Sequence, residues 1–167
     1  MRAKTLAAAA LLLALAAPGL QAQLTQPLGD MMDDFQWRNI GPTNMGGRVT
    51  DIEAIPSPSK TFFVAGAGSG IWKTTNNGTT FKQVWSDERV ISMGDLAIAP
   101  SNTDIVWAGT GEPTSRNSIS AGGGIFKSTD GGESWEPMGL VETQVIARIV
   151  IHPTNPDIVY VAALGHI

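Results

Sequence analysis

The 167-residue chain has no cysteine, two histidines and one tyrosine, and only 16% of its residues are charged. Without thiols there is neither a disulfide framework nor a lipid-attachment cysteine, so the fold must rest on packing. The same scarcity removes the usual ligand sets for a metal. His152 stands beside Pro153 at a strand end with no second ligand at metal spacing, which gives it a structural role. After residue 22 no apolar run approaches the about 20 residues that a membrane-spanning helix requires, and none holds a 3.6-residue period long enough for a helix. Neither a metal, a cofactor nor a membrane span is therefore expected.

The first residues are of a different kind. Arg2 and Lys4 precede an apolar stretch from Leu6 to Ala17, which Pro18 and Gly19 break. That order is the charged region, apolar core and helix break of a secretory signal peptide. Cleavage after Ala22 leaves Gln23 first. A disulfide-free exported protein belongs in a bacterial periplasm or the medium. Residues 1–22 hold two of the eleven basic side chains and none of the fifteen acidic ones, so cleavage takes the net charge from -4 to -6. Such a surface repels a phosphate backbone, and nucleic acid is excluded as a partner.

The rest of the chain repeats itself. Gly70-Ile71-Trp72-Lys73-Thr74 returns as Gly124-Ile125-Phe126-Lys127-Ser128. The run Leu96 to Ala108 returns as Ile149 to Val161, with a weaker earlier copy in Ile52 to Pro56 and Thr61 to Ala65. Within each copy, short β-branched and aromatic runs alternate with Pro, Gly, Asn and Asp, the pattern of strands joined by tight turns. The strand-ending prolines are Pro56, Pro100 and Pro153. The second copy carries extra residues between Glu112 and Ala121. Repeats of about 40 to 50 residues made of short antiparallel strands indicate propeller blades. The expected fold is all-β: a β-propeller of four-stranded antiparallel blades, of which about two and a half are present.

Each hairpin bears a motif. Ser128, Asp130, Gly132, Ser134 and Trp135 fit Ser/Thr-x-Asp-x-Gly-x-Ser/Thr-Trp/Phe, and Thr74, Asn76, Gly78, Thr80 and Phe81 fill the same slots. The carboxylate in such a turn can accept backbone amides of its own loop, as Asx turns do. The glycine supplies a positive φ, and the aromatic anchors the hairpin from beneath. Asn76 can perform the aspartate's role through its amide oxygen.

With this motif the chain resembles the Asp-box, or BNR-repeat, superfamily of exported bacterial proteins related to the sortilin-type propeller and often described as "glycosyl hydrolase, BNR repeat". Trp37 to Val49 looks like that family's propeller start, and Trp107 to Glu112 with Arg116 and Ser118 looks like its second blade. The resemblance implies a signal peptide over 1–22, a linker over 23–36 and a partial propeller over 37–167. Blade 1 then covers about 47–90, blade 2 about 91–143 and the start of blade 3 144–167. It does not fix an activity, because this fold hosts hydrolases, receptors and assembly factors.

A hydrolase needs two carboxylates about 5 to 10 Å apart. Related xyloglucan-cleaving propellers place one catalytic Asp shortly before a Gly-aromatic pair of the first blade. The matching stretch here, Ala65 to Trp72, holds no acid. Asp51 and Asp95 occupy equivalent positions in adjacent first strands, and Arg148 fills the slot in the third copy. These three are candidates for a ligand-facing patch, or form a balanced set of channel-lining charges. A sialidase is excluded, because Arg38 lacks that family's surrounding motif and Tyr160, in an apolar strand, reads as core.

Glu112 and Arg116 are the only charged residues of the extended loop, and loops extended on one face are where repeat proteins place recognition. Either the loop meets a ligand or the two charges satisfy each other or the next blade. Gly122, Gly123 and Gly124 lack the lysine and helix of a phosphate loop. Trp72, Trp107 and Trp135 read as core, while Trp37 and Trp85 stay open as sugar platforms. The expectation is an exported propeller module that binds protein or glycan through its loop face. The alternative is a xyloglucanase-like glycoside hydrolase with its acids in further blades.

Overall fold

The computed structural model describes residues 47–85 and 90–166. The expected leader, its cleavage point, Trp37 and Arg38 lie outside the described residues. Those residues contain ten strands and no helix. They form three sheets in chain order. The first is β1 (Val49–Ala54), β2 (Phe62–Gly66), β3 (Gly70–Thr74) and β4 (Lys82–Gln83). The second is β5 (Met93–Ile98), β6 (Val106–Thr110), β7 (Ile125–Ser128) and β8 (Glu136–Pro137). The third is β9 (Val145–Ile151) and β10 (Val159–Gly165). All neighbours are antiparallel, and strand order in each sheet follows the sequence.

The prolines explain how the first strands end. Ile55, Ala99 and His152 each donate their amide to the carbonyl six residues on, Thr61, Ile105 and Ile158, at 2.9 to 3.0 Å. The following residue is proline in all three, which has no amide to continue the ladder. Inside the second and third of these turns, Asn102 and Asn155 accept the amides of Asp104 and Asp157 through Oδ1, both at 3.1 Å. His152 Nδ1 accepts the amides of Thr154 and Asn155 at 3.3 and 3.2 Å, which makes it a turn cap.

Strand alternation decides which residues meet. On the second sheet, Leu96, Val106, Ala108 and Phe126 join Phe63, Ala65, Ile71 and Trp85 in one core beside the first sheet. Ala97, Ala99, Trp107 and Ile125 join Ile146, Ile149 and Ile151 in another beside the third. The second sheet is thus covered on both faces, so β6 is buried along its whole length. Phe63, Ile71, Leu96 and Ile146 are almost fully buried, and each such side chain contributes about 1.5–3 kcal/mol of transfer free energy. Gly94 lets the last two sheets approach, since a Cβ there would stand 2.0 Å from the Ile146 carbonyl oxygen.

Two aromatic expectations are corrected. Tyr160 is 64% exposed rather than core. It lies on β10, whose sole strand partner among the described residues is β9, and its side chain points to the face opposite Val159 and Val161, which pack toward the second sheet. Trp72 is half-buried outside both cores, and its indole N–H donates to the Ser69 carbonyl at 3.0 Å. Trp107 is buried, and Trp135 packs partly buried against the first core.

Candidate functional site

The three first strands β1, β5 and β9 carry a shared irregularity. Each ladder slips by one residue just before Asp51, Asp95 or Arg148. A bulge at this point re-aims the side chain that follows it. Asp51 Oδ2 accepts the Leu96 amide at 2.9 Å, and Asp95 Oδ2 accepts the Ile149 amide at 2.6 Å. Each aspartate therefore binds the backbone of the next sheet, one residue beyond the equivalent slot. Arg148 Nη1 stands 3.5 Å from Asp95 Oδ1.

Glu53 completes this group, and sequence reasoning missed it. The signal was available, because Glu53 lies two residues after Asp51 on the same strand face. Burial raises the Glu53 carboxyl above its usual pKa, Asp51 and Asp95 raise it further, and Arg148 opposes them. Burial also raises Asp95, against the pull of the Ile149 amide; Asp51 adds to the rise and Arg148 counters it. Both directions follow from desolvated carboxylates sharing one small volume. The structure thus brings Asp51, Asp95 and Arg148 together and adds Glu53 to them.

The second place is the opposite arm of the same sheet end, after β6. Glu112 is almost completely buried and forms a bidentate ion pair with Arg48, Nε to Oε1 and Nη2 to Oε2, both at 2.6 Å. The Arg48 hydrogen bond pulls the Glu112 carboxyl below its usual range against the penalty of burial. The pair ties the residue before β1 to a residue two positions past the end of β6. A separation of 64 residues left no sequence signal for it. Arg116 is not Glu112's hydrogen-bond partner; it is exposed and donates to Ser118 Oγ at 3.1 Å.

The rest of the loop is held at its base. The Glu112 amide meets the Ser120 carbonyl at 3.4 Å, and the Gly122 amide donates to the Gln144 carbonyl at 2.7 Å. Thr110 Oγ1 donates to the Gly124 carbonyl and accepts the Gly123 amide, at 2.6 and 2.8 Å. Between these anchors Thr114 to Ser118 are exposed.

The hairpin motifs form closed hydrogen-bond cages. Asp130 Oδ1 accepts the amides of Glu133 and Ser134, both at 2.9 Å, while the hydroxyls of Ser128 and Ser134 donate to its two oxygens. These donors, led by Ser134, hold its pKa far below the usual carboxylate range. In the first copy Asn76 Oδ1 accepts the Thr80 amide at 2.9 Å and the Thr74 hydroxyl at 3.0 Å. Gly78 and Gly132 have φ of 79° and 87°. Phe81 is partly exposed and meets Phe62 edge to face at 5.8 Å.

The second cage also grips the preceding sheet. Lys73 Nζ donates to the Gly131 carbonyl at 2.8 Å and pairs with Glu133, which Lys82 also contacts. The Trp135 indole N–H donates to the Val84 carbonyl at 2.9 Å. Trp85 is buried against Phe126 and Trp135, which closes it as a sugar platform. Among the described residues no three His, Cys, Asp or Glu side chains are placed to hold a metal ion, and no helix is long and apolar enough to cross a membrane.

The sequence matches no protein-family model and no curated protein. Among solved structures, the chain is similar to an ancestral GH74 enzyme, with 24% identity, a TM-score of 0.54, and 68% of this chain and 16% of that chain covered. A GH74 enzyme of Niastella koreensis shows 22% identity, a TM-score of 0.47 and coverage of 60% and 15%. The chain thus spans a small part of either enzyme. The likeness is one of fold: antiparallel four-stranded sheets of the kind that build GH74 propellers.

Proposed function

We propose that this chain belongs to an exported Asp-box propeller that binds a glycan through the end of the sheets carrying the loop from Glu112 to Ala121. On this reading residues 1–22 are a signal peptide, and the three sheets are successive blades over 47–90, 91–143 and 144–167. The observation that carries the reading is the loop itself. Its base is fixed by the Arg48–Glu112 pair and the Gly122–Gln144 bond, while Thr114, Ser115, Arg116, Asn117 and Ser118 face solvent. A rigid scaffold under an exposed row of hydroxyl, amide and guanidinium groups suits a polyol, because binding then costs little ordering entropy.

A glycoside hydrolase is the second reading, favoured by the fold shared with the GH74 enzyme. Here Asp51 and Asp95 each spend an oxygen on a backbone amide of the neighbouring sheet. That use fits structural carboxylates better than a general acid and base, so this reading draws its acids from blades outside the chain.

The test is affinity electrophoresis of the exported full chain through gels containing single soluble polysaccharides, beside a variant with residues 114–118 replaced by glycine and alanine. Retardation by at least one polysaccharide, lost in the variant, supports the reading. Equal mobility in every gel overturns it. Release of reducing ends from the retarding polysaccharide would instead favour the hydrolase.

A further inference from the structure

Glu112 and Arg116 are the two charges of the loop, and the structure separates their fates. Glu112 is buried and gives both its oxygens to Arg48 at 2.6 Å. Arg116 is exposed, makes no ion pair among the described residues, donates to the Ser118 hydroxyl and acts on the Glu112 carboxylate only through longer-range charge attraction. The sole acid of the loop is thus consumed by a cation from another sheet, and the group of Arg48, Glu112 and Arg116 keeps one net positive charge. This positive point sits on a chain whose overall charge is -4.

We infer that Arg116 is the specificity-determining residue of the loop and selects glycans that carry a carboxylate, namely uronic-acid residues. A guanidinium presents parallel N–H donors that match the two oxygens of a carboxylate, which a neutral sugar does not offer. Its neighbours Thr114, Ser115, Asn117 and Ser118 supply hydroxyl and amide groups suited to the ring hydroxyls of the same residue. The exposed groups of the loop are hydroxyls, an amide and one guanidinium, a polar set that suits the closely spaced hydroxyls and carboxylate of an acidic sugar. The overall negative charge does not prevent this, because at physiological salt charges beyond about 8 Å are largely screened. The inference rests on the glycan reading above and narrows it to one ligand class.

The test uses isothermal titration of the full chain with a galacturonic-acid oligosaccharide, its methyl ester and a panel of neutral gluco- and xylo-oligosaccharides. The acid form should bind about ten- to hundredfold more tightly than the ester, the range of a charge-assisted hydrogen-bonded contact. Arg116→Ala should abolish that preference, and Arg116→Lys should keep part of it, since charge survives and the fork does not. Arg116 is exposed with one weak partner, so unchanged circular dichroism is expected of both variants. Equal binding of acid and ester, or an acid preference that survives Arg116→Ala, overturns the inference and leaves the glycan reading intact. Binding confined to the neutral panel does the same. Failure of every sugar to bind overturns both.

Discussion

Asp95 accepts the backbone amide of Ile149 at 2.6 Å, one sheet on from the bond that Asp51 takes from Leu96 at 2.9 Å. The two aspartates follow the same bulge in the same strand of successive repeats. Each joins its own sheet to the next through a main-chain group, so the contact does not depend on which side chain the neighbour carries. Arg148 breaks the series, and its charge is spent backward on Asp95.

Removing one such link should be measurable. Asp51→Ala leaves the Leu96 amide without its acceptor, and an orphaned buried donor costs about 1–3 kcal/mol. Asp51→Asn keeps an acceptor oxygen and should cost less. Amide hydrogen exchange at Leu96 distinguishes the cases, with faster exchange expected in the alanine variant and near-native protection in the asparagine one. Unchanged exchange in Asp51→Ala would remove the link from the account.

The second hairpin cage makes a pair of predictions with opposite outcomes. Gly132 has φ of 87°, and a Cβ there would lie 2.7 Å from the Phe63 ring. Gly132→Ala should therefore destabilise by about 1–3 kcal/mol through backbone strain and the clash together. Asp130→Asn should be tolerated far better, because Asn76 already holds the equivalent turn through its amide oxygen. Thermal unfolding of the two variants under one set of conditions checks the order.

Acid should loosen the loop anchor. Arg48 holds the Glu112 carboxyl below its ordinary value, so the folded state binds that proton less readily than the unfolded chain. The resulting stability is fully present above the unfolded pKa near 4.3 and is lost as pH falls through the lower folded value. Glu53 and Asp95 are raised and act oppositely, favouring the folded state as they protonate. Glu112→Gln should thus lie below the unsubstituted chain at pH 7, with the gap narrowing as pH falls below the unfolded value. A gap that stays constant to pH 3 would show that Glu112 does not titrate as described.

Solubility supplies a further prediction. Val150, Tyr160 and Leu164 are each at least half exposed along β9 and β10, and Ile52 is exposed on β1. A polypeptide of residues 23–167 should self-associate through these faces and strand edges. Tyr160→Lys together with Val150→Glu should lower its sedimentation coefficient toward that of a monomer. A sharp, concentration-independent monomeric unfolding transition without those substitutions would overturn the prediction.

Repetition makes the sheets legible in the sequence. Pro56, Pro100 and Pro153 mark strand ends, and the recurring Gly-aromatic hairpins fall on β3 and β7 with the turn chemistry their residues require. The neighbouring sheet was harder to read, because period-2 alternation gives two faces without naming what covers each. Tyr160 shows this, being aligned with buried Trp107 yet exposed on an uncovered face. Glu53 was within reach of the same alternation. Arg48 was not, since nothing local to it points toward Glu112; only the stacking of two sheets brings them together.

The turn spacing described for Ile55 to Thr61, Ala99 to Ile105 and His152 to Ile158 has a practical side. One rim of the sheets is standardised by hydrogen bonds of equal reach, whereas the other accommodates ten extra residues, Glu112 to Ala121, with no change in strand register. That asymmetry makes the loop rim a cassette position. Segments of different length and chemistry can be grafted between Glu112 and Gly122 while Thr110 and Arg48 keep the framework closed beneath them, so new recognition can be tried without redesigning a single strand.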